Sequence, residues 1–112
     1  KHIRLIGKSL GAIIGSYYVK TLSEEYQSKY SIVVFGYVTE SIDLKSFVGK
    51  IDIIQGEKDK FGDIEKVKSD LKDAISKNIN YFEIKNADHS YRNELKEPVF
   101  EDEAIEDFSK LK

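Results

Sequence analysis

Apolar residues along this chain fall in short runs separated by charged, turn-forming stretches, and the runs differ in period. Residues 3–6 (Ile-Arg-Leu-Ile) and 31–36 (Ser-Ile-Val-Val-Phe-Gly) are too short for helices and predict buried strands. The second is β-branched and closed by a glycine. Residues 51–55 (Ile-Asp-Ile-Ile-Gln), ended by Gly56, predict a third strand, and residues 79–84 (Ile-Asn-Tyr-Phe-Glu-Ile) a fourth. Residues 10–22 are apolar nearly all round, with Leu10, Ile13, Ile14, Tyr17, Tyr18 and Val19 among them. That pattern predicts a helix covered on more than one side. Over residues 64–77 the apolar positions Ile64, Val67, Leu71, Ala74 and Ile75 recur at helical spacing, with Asp63 as a cap and Asn78 as a stop. Pro98 is expected to open a last helix whose buried stripe is Ala104, Ile105, Phe108 and Leu111. Residues 37–50 have weak periodicity and read as a connection.

Strand, helix, strand, connection, strand, helix, strand, loop, helix is the order of an α/β fold. It implies a four-stranded parallel sheet flanked by helices, because parallel strands need crossovers that cover both faces. With 112 residues, one domain over residues 1–112 is expected. Ligands in such folds gather beyond the carboxyl ends of the strands. Ser9 follows the first strand there, Asp59 the third and His89 the fourth.

Composition narrows the classes. The chain is 40% apolar and 34% charged with a net charge of −2, and the two signs are interspersed. No nucleic-acid partner is expected from that balance, and no apolar run is long enough to imply a membrane span. There are no cysteines, so disulfides, thiolate catalysis and cysteine-based metal sites are excluded. This fits a cytoplasmic location, which is the expectation. The chain starts at Lys1 rather than Met, and an upstream region is expected to have been removed.

The chemistry centres on Gly7-Lys8-Ser9-Leu10-Gly11. A serine flanked by glycines two residues away on each side, between a strand and a helix, belongs to a turn too tight for side chains at the flanks. A serine hydroxyl needs a base in reach, and the base needs a carboxylate to orient it. His89 is one of only two histidines; His2 precedes the first strand, at the wrong end of the sheet. Among the carboxylates, Asp52 lies inside a strand, Asp63 caps a helix, Asp88 shapes the turn next to His89, and Glu57 points away. Asp59 is the remaining candidate. The acidic run Glu101-Asp102-Glu103 reads as a solvated helix start, and neither a metal nor a cofactor is expected. Lys8 receives no role.

These residues resemble the carboxyl-terminal half of α/β-hydrolases, in particular the compact dienelactone-hydrolase-like branch. Residues 3–11 look like the nucleophile elbow, residues 51–62 like the acid strand and its turn, and Ala87-Asp88-His89-Ser90-Tyr91 like the histidine loop. The resemblance implies a partial α/β-hydrolase fold lacking the strands that precede the elbow. It also implies a serine hydrolase acting on the ester or thioester of a small acyl substrate. Ser9 would be the nucleophile, His89 the base, Asp59 the orienting acid, Leu10 an oxyanion-hole donor through its N–H, and Gly7 and Gly11 the elbow glycines. Lys50 departs from the pattern, standing where proline often precedes the acid strand. The loop bearing the second oxyanion donor is not in these 112 residues, so weak activity of the isolated chain is expected. The first strand should present a free edge, open to a second copy or to the missing half. The alternative is a non-catalytic binding or scaffold module on the same fold.

Overall fold

A computed structural model describes residues 2–111 of the chain. Four parallel strands, β1 (Ile3–Lys8), β2 (Tyr30–Phe35), β3 (Lys50–Gly56) and β4 (Ile79–Ile84), form one sheet in the order β1-β2-β3-β4. Helices α1 (Leu10–Lys20), α2 (Glu24–Gln27), α3 (Ile64–Asp70) and α4 (Glu101–Ser109) lie between and after them. Among the described residues no helix is long and apolar enough to cross a membrane.

Side chains alternate across a pleated strand, so each buried run serves two faces. On one face Ile32, Val34, Ile51 and Ile53 meet Ala12 and Val19 of α1 and Val67 of α3. On the other, Val33, Ile54 and Ile84 meet Ala104 of α4, with Phe35, Phe82 and Phe108 packed around them. The register sets this sharing: Ile32 pairs with Ile51, Val34 with Ile53, and Ile54 with Phe82. A continuous apolar run is what a strand covered on both faces requires.

Several expectations change at the periphery. Helix α1 is covered on one side only. Ala12, Ser16 and Val19 are buried, whereas Ile14 is 60% exposed and Leu10, Tyr17 and Tyr18 are also exposed. The helix packs on β1 and β2, and among the described residues nothing lies beyond β1 to cover its outer side. The third helix ends at Asp70 rather than near residue 77. The Ile75 N–H donates to the Lys45 carbonyl (2.9 Å) and the Ser76 hydroxyl to the Gly49 carbonyl (2.6 Å), so the chain leaves the helix to pin the connection before β3. Ile75 is consequently exposed. Asp63 caps α3 as expected, its carboxylate accepting from the Lys66 N–H at 2.9 Å.

The last helix starts at Glu101, three residues after Pro98, and Ile105 is 60% exposed. Only Ala104 and Phe108, one helical turn apart, face the sheet with Phe100 and Leu111. Helix α2 was not anticipated; Ser23 caps it, accepting from the Tyr26 N–H. Residues 37–49, with no regular structure, supply a third of one core: Tyr37, Ile42, Leu44 and Phe47 are all buried.

Candidate active site

The carboxyl ends of β1, β3 and β4 lie at one edge of the sheet because every pair of strands is parallel. Three loops leave that edge side by side, and each carries one of the residues singled out in the sequence.

Ser9 occupies the single position between β1 and α1. Its backbone lies at φ 52°, ψ −113°, a positive φ that costs an L-residue about 1–3 kcal/mol and persists only where the surroundings impose it. The Ser9 N–H donates to the Phe35 carbonyl (3.1 Å), and the Ser9 carbonyl accepts from Ala12 and Ile13 (3.0 and 3.1 Å). The side chain makes no capping bond to α1, so it is not spent on the helix. Gly7 is required by the turn: a Cβ there would stand 2.6 Å from the Ala12 backbone. Gly11 is different. A Cβ at Gly11 would meet nothing within 4 Å among the described residues, so crowding in this structure does not account for that glycine. The Leu10 and Gly11 N–H groups, at the start of α1, have no acceptor among the described residues, as expected for the first turn of a helix.

The imidazole of His89 bridges the other two residues. Its Nε2 lies 3.0 Å from Ser9 Oγ and its Nδ1 2.7 Å from Asp59 Oδ2. The Asp59 side chain is 0% exposed and that of His89 15%. Burial pushes the Asp59 carboxyl above its ordinary range, against the opposing pull of hydrogen bonds from His89 and the Phe61 N–H. An imidazole held between a hydroxyl and a carboxylate can take the hydroxyl proton on one nitrogen while the carboxylate fixes its tautomer on the other.

The acid turn and the histidine loop are stitched together. Lys58 N–H donates to the Ala87 carbonyl (2.8 Å), Glu57 N–H to Ile84 (2.9 Å), and the Glu57 carboxylate accepts from the Asn86 N–H (2.8 Å). Asp88 shapes its own turn, accepting from the N–H groups of Ser90 and Arg92 (2.9 Å each). The buried Tyr91 hydroxyl donates to the Ile54 carbonyl at 2.6 Å, anchoring the loop to β3. His2 lies at the opposite edge, 3.1 Å from the Ser31 hydroxyl.

Three residues at the site carry no signal that sequence reading used. Gly36 closes β2 at φ +75°, and a Cβ there would meet the His89 ring at 2.8 Å; its bare backbone leaves room for the imidazole. Gln55 is fully buried at the end of β3. Its Nε2 lies 3.2 Å from Asp59 Oδ2 and within reach of the Tyr37 and Gly62 carbonyls, while its Oε1 accepts from the Tyr37 N–H (2.7 Å). A glutamine at the end of a largely apolar strand, in which Asp52 is the other buried polar residue, was the available clue. Phe61 donates its N–H to Asp59 Oδ1 (2.8 Å) and sets its ring edge-on to His89, 4.7 Å between centroids. Among the described residues no group of three or more His, Asp or Glu side chains is placed to hold a metal ion.

The sequence model of the alpha/beta hydrolase domain family matches residues 1–111. The chain belongs to this family. Among solved structures, it is similar to an alpha-beta serine hydrolase homologue from Coxiella burnetii, with a TM-score of 0.61 at 21% identity over 81% of this chain. At that identity the likeness speaks for the α/β-hydrolase fold. This chain covers 42% of the length of that α/β-hydrolase. Comparison with curated proteins found no match.

Proposed function

We propose that this α/β-hydrolase chain carries the catalytic centre of a serine hydrolase acting on an ester or thioester of a small acyl compound. One observation carries the reading: a continuous hydrogen-bonded chain from Ser9 Oγ through the His89 ring to Asp59, at 3.0 and 2.7 Å. The positive φ of Ser9 supports it, since a strained backbone at a hydroxyl that caps nothing is characteristic of a nucleophile elbow.

In this reading Ser9 Oγ attacks the acyl carbonyl as His89 Nε2 takes its proton. The carbonyl π electrons move to the oxygen, and the resulting oxyanion accepts from the Leu10 N–H, whose hydrogen is otherwise unused. Collapse of the tetrahedral species breaks the bond to the leaving group, which takes the proton back from Nε2. Water then repeats the sequence on the acyl-Ser9. Asp59 stays ionised throughout, holding Nδ1–H and stabilising the imidazolium.

One N–H is an incomplete oxyanion hole, and a missing donor costs about 10²–10³ in rate. We infer that a further strand, from a preceding segment of the polypeptide or from a second copy, covers the free edge of β1 in the working protein. The exposed Ile3 and Ile6 on that strand support this. The absence of cysteine suits a reducing compartment, and the cytoplasm is part of the same proposal.

A fluorophosphonate probe tests the central claim. The full-length protein should be labelled on Ser9, located by peptide mass spectrometry, with labelling abolished in Ser9→Ala and strongly slowed in His89→Ala. A folded protein that stays unlabelled would favour a scaffold role.

A further inference from the structure

We propose that the cleft beside His89 receives an anionic leaving group, so that the preferred substrates are esters or thioesters of a carboxylate- or phosphate-bearing alcohol or thiol. This rests on the hydrolase reading above and names the substrate class of that site.

The cleft has a volume of about 470 Å³ and is walled by the acid turn on one side and the histidine loop on the other. That is ample for a small organic group. His89 lines it, but Ser9 does not. The cleft therefore begins on the imidazole side of the reaction. In acyl transfer the atom that departs is the one that takes the proton from Nε2, so the group attached to it extends along the side of the site that the imidazole borders. The acyl portion stays bonded to Ser9.

The cleft's charge runs against that of the chain. The protein carries a net −2, yet Lys58, Lys60, Arg92 and Lys96 line this cleft against the single carboxylate of Asp88. Two of these cations are already neutralised: Lys58 pairs with Glu94 at 2.9 Å and Lys96 with Asp88 at 3.5 Å. Lys60 and Arg92 have no carboxylate partner among the described residues. Lys60 has only the Phe61 ring, 5.2 Å away. These two come from opposite walls, Lys60 one residue after Asp59 and Arg92 three after His89. A group leaving between them meets two uncompensated positive charges, with Phe61 as an apolar surface beneath its carbon skeleton. Charge developing on the departing oxygen or sulfur is favoured by the same field.

The test compares butyrate esters of 4-hydroxybenzoate, of 4-hydroxyphenylphosphonate and of the neutral 4-hydroxybenzamide in the full-length protein. At low ionic strength the anionic esters should have kcat/KM about tenfold above the neutral one, and the ratio should fall in 0.5 M salt, as expected for two exposed cations (about two- to fivefold each). A higher rate for the phosphonate would identify phosphate as the natural group, and for the benzoate, carboxylate. In the double variant Lys60→Ala, Arg92→Ala the ratio should collapse to about one, and in Lys60→Glu, Arg92→Glu it should invert. A ratio near one in the unaltered protein, with all esters turned over, overturns the anionic preference and leaves the hydrolase reading standing. No turnover of any ester, with Ser9 unlabelled by a fluorophosphonate, overturns both.

Discussion

The two flanks of the sheet are built from the same kinds of element and end in opposite states. On the β3–β4 flank β3 is buried along nearly its whole length and β4 is half-buried, and hydrogen bonds tie the acid turn to the histidine loop. Even the polar Gln55 is buried there with partners for both ends of its amide. On the β1–α1 flank, Ile3 and Ile6 of β1 are exposed, Ile6 by 57%, and a groove along Leu5, Ile6, Gly11, Ile14 and Tyr18 stays open; β1 and β4 alike lack an outer partner strand among the described residues. Ser9 stands on the open flank, while Asp59 and His89 stand on the closed one. The difference separates what must be rigid from what must be reached. In the proposed reaction His89 and Asp59 need fixed geometry, which the packing around the buried Asp59 carboxylate supplies. Under the proposed function, the open side at Ser9 is where the acyl group and any further oxyanion donor would be placed.

The largest expected effect strikes the closed flank's chemistry. Asp59→Asn should lower kcat by about 10⁴, because an amide no longer dictates the imidazole tautomer. Its effect on stability should have the opposite sign. Burial raises the Asp59 pKa in the folded state, so the folded protein holds that proton more tightly than the unfolded chain. The resulting stabilisation is present at acid pH and is lost as pH rises through the raised pKa. At neutral pH the ionised carboxylate therefore opposes folding, and Asp59→Asn should melt no lower than the parent. A clear drop in its midpoint at pH 7 would show that the hydrogen bonds to Asp59 outweigh its burial.

Gly36→Ala should come next. The substitution adds a methyl group at φ +75° and within 3 Å of the imidazole, displacing His89 from Ser9. A loss of about 10² in kcat with KM little changed is expected from misplacement on that scale, together with destabilisation of about 1–2 kcal/mol. Gln55→Leu should cost about 3 kcal/mol in denaturant unfolding, because the Tyr37 N–H and two buried carbonyls lose their partners at once. If Gln55→Leu is neutral, the closed flank is less tightly specified than its hydrogen bonds imply.

The smallest effect belongs to the open flank. Ile6→Lys should change monomer stability by no more than about 0.5 kcal/mol, since the side chain is already mostly exposed. Sedimentation of the 112-residue chain at micromolar concentration should show self-association that this substitution reduces. A dilute monomer in both cases would argue against pairing between copies at β1.

What could be read in advance follows from how local each property is. The strands and their parallel order were legible because a strand covered on both faces is a short, largely apolar run, as in residues 31–36 and 51–55; residues 3–6 read the same way, yet Ile3 and Ile6 of β1 are exposed because coverage of an edge strand is set by distant elements. The candidate site was legible for a related reason: in a parallel sheet the loops after the strands share one edge, so Ser9, Asp59 and His89 had only to follow different strands to meet. Asp63 as a cap is a bond spanning three residues. Helix coverage was not legible. Leu10, Ile14 and Ile105 have the same apolarity whether a neighbour covers them or not, and coverage depends on elements distant in sequence. The length of α3 was likewise set from outside, by the carbonyls of Lys45 and Gly49 drawing Ile75 and Ser76 away from the helix.

The sequence by itself determined the fold class, the edge of the sheet at which chemistry could occur, and the residue types gathered there, because period, chain order and side-chain chemistry are written locally. Only the tertiary structure decided that the imidazole spans the hydroxyl and the carboxylate. It alone showed that Gly36 and Gln55 hold that arrangement and that one flank is left uncovered. Those are distances between segments far apart along the chain, and only packing sets them.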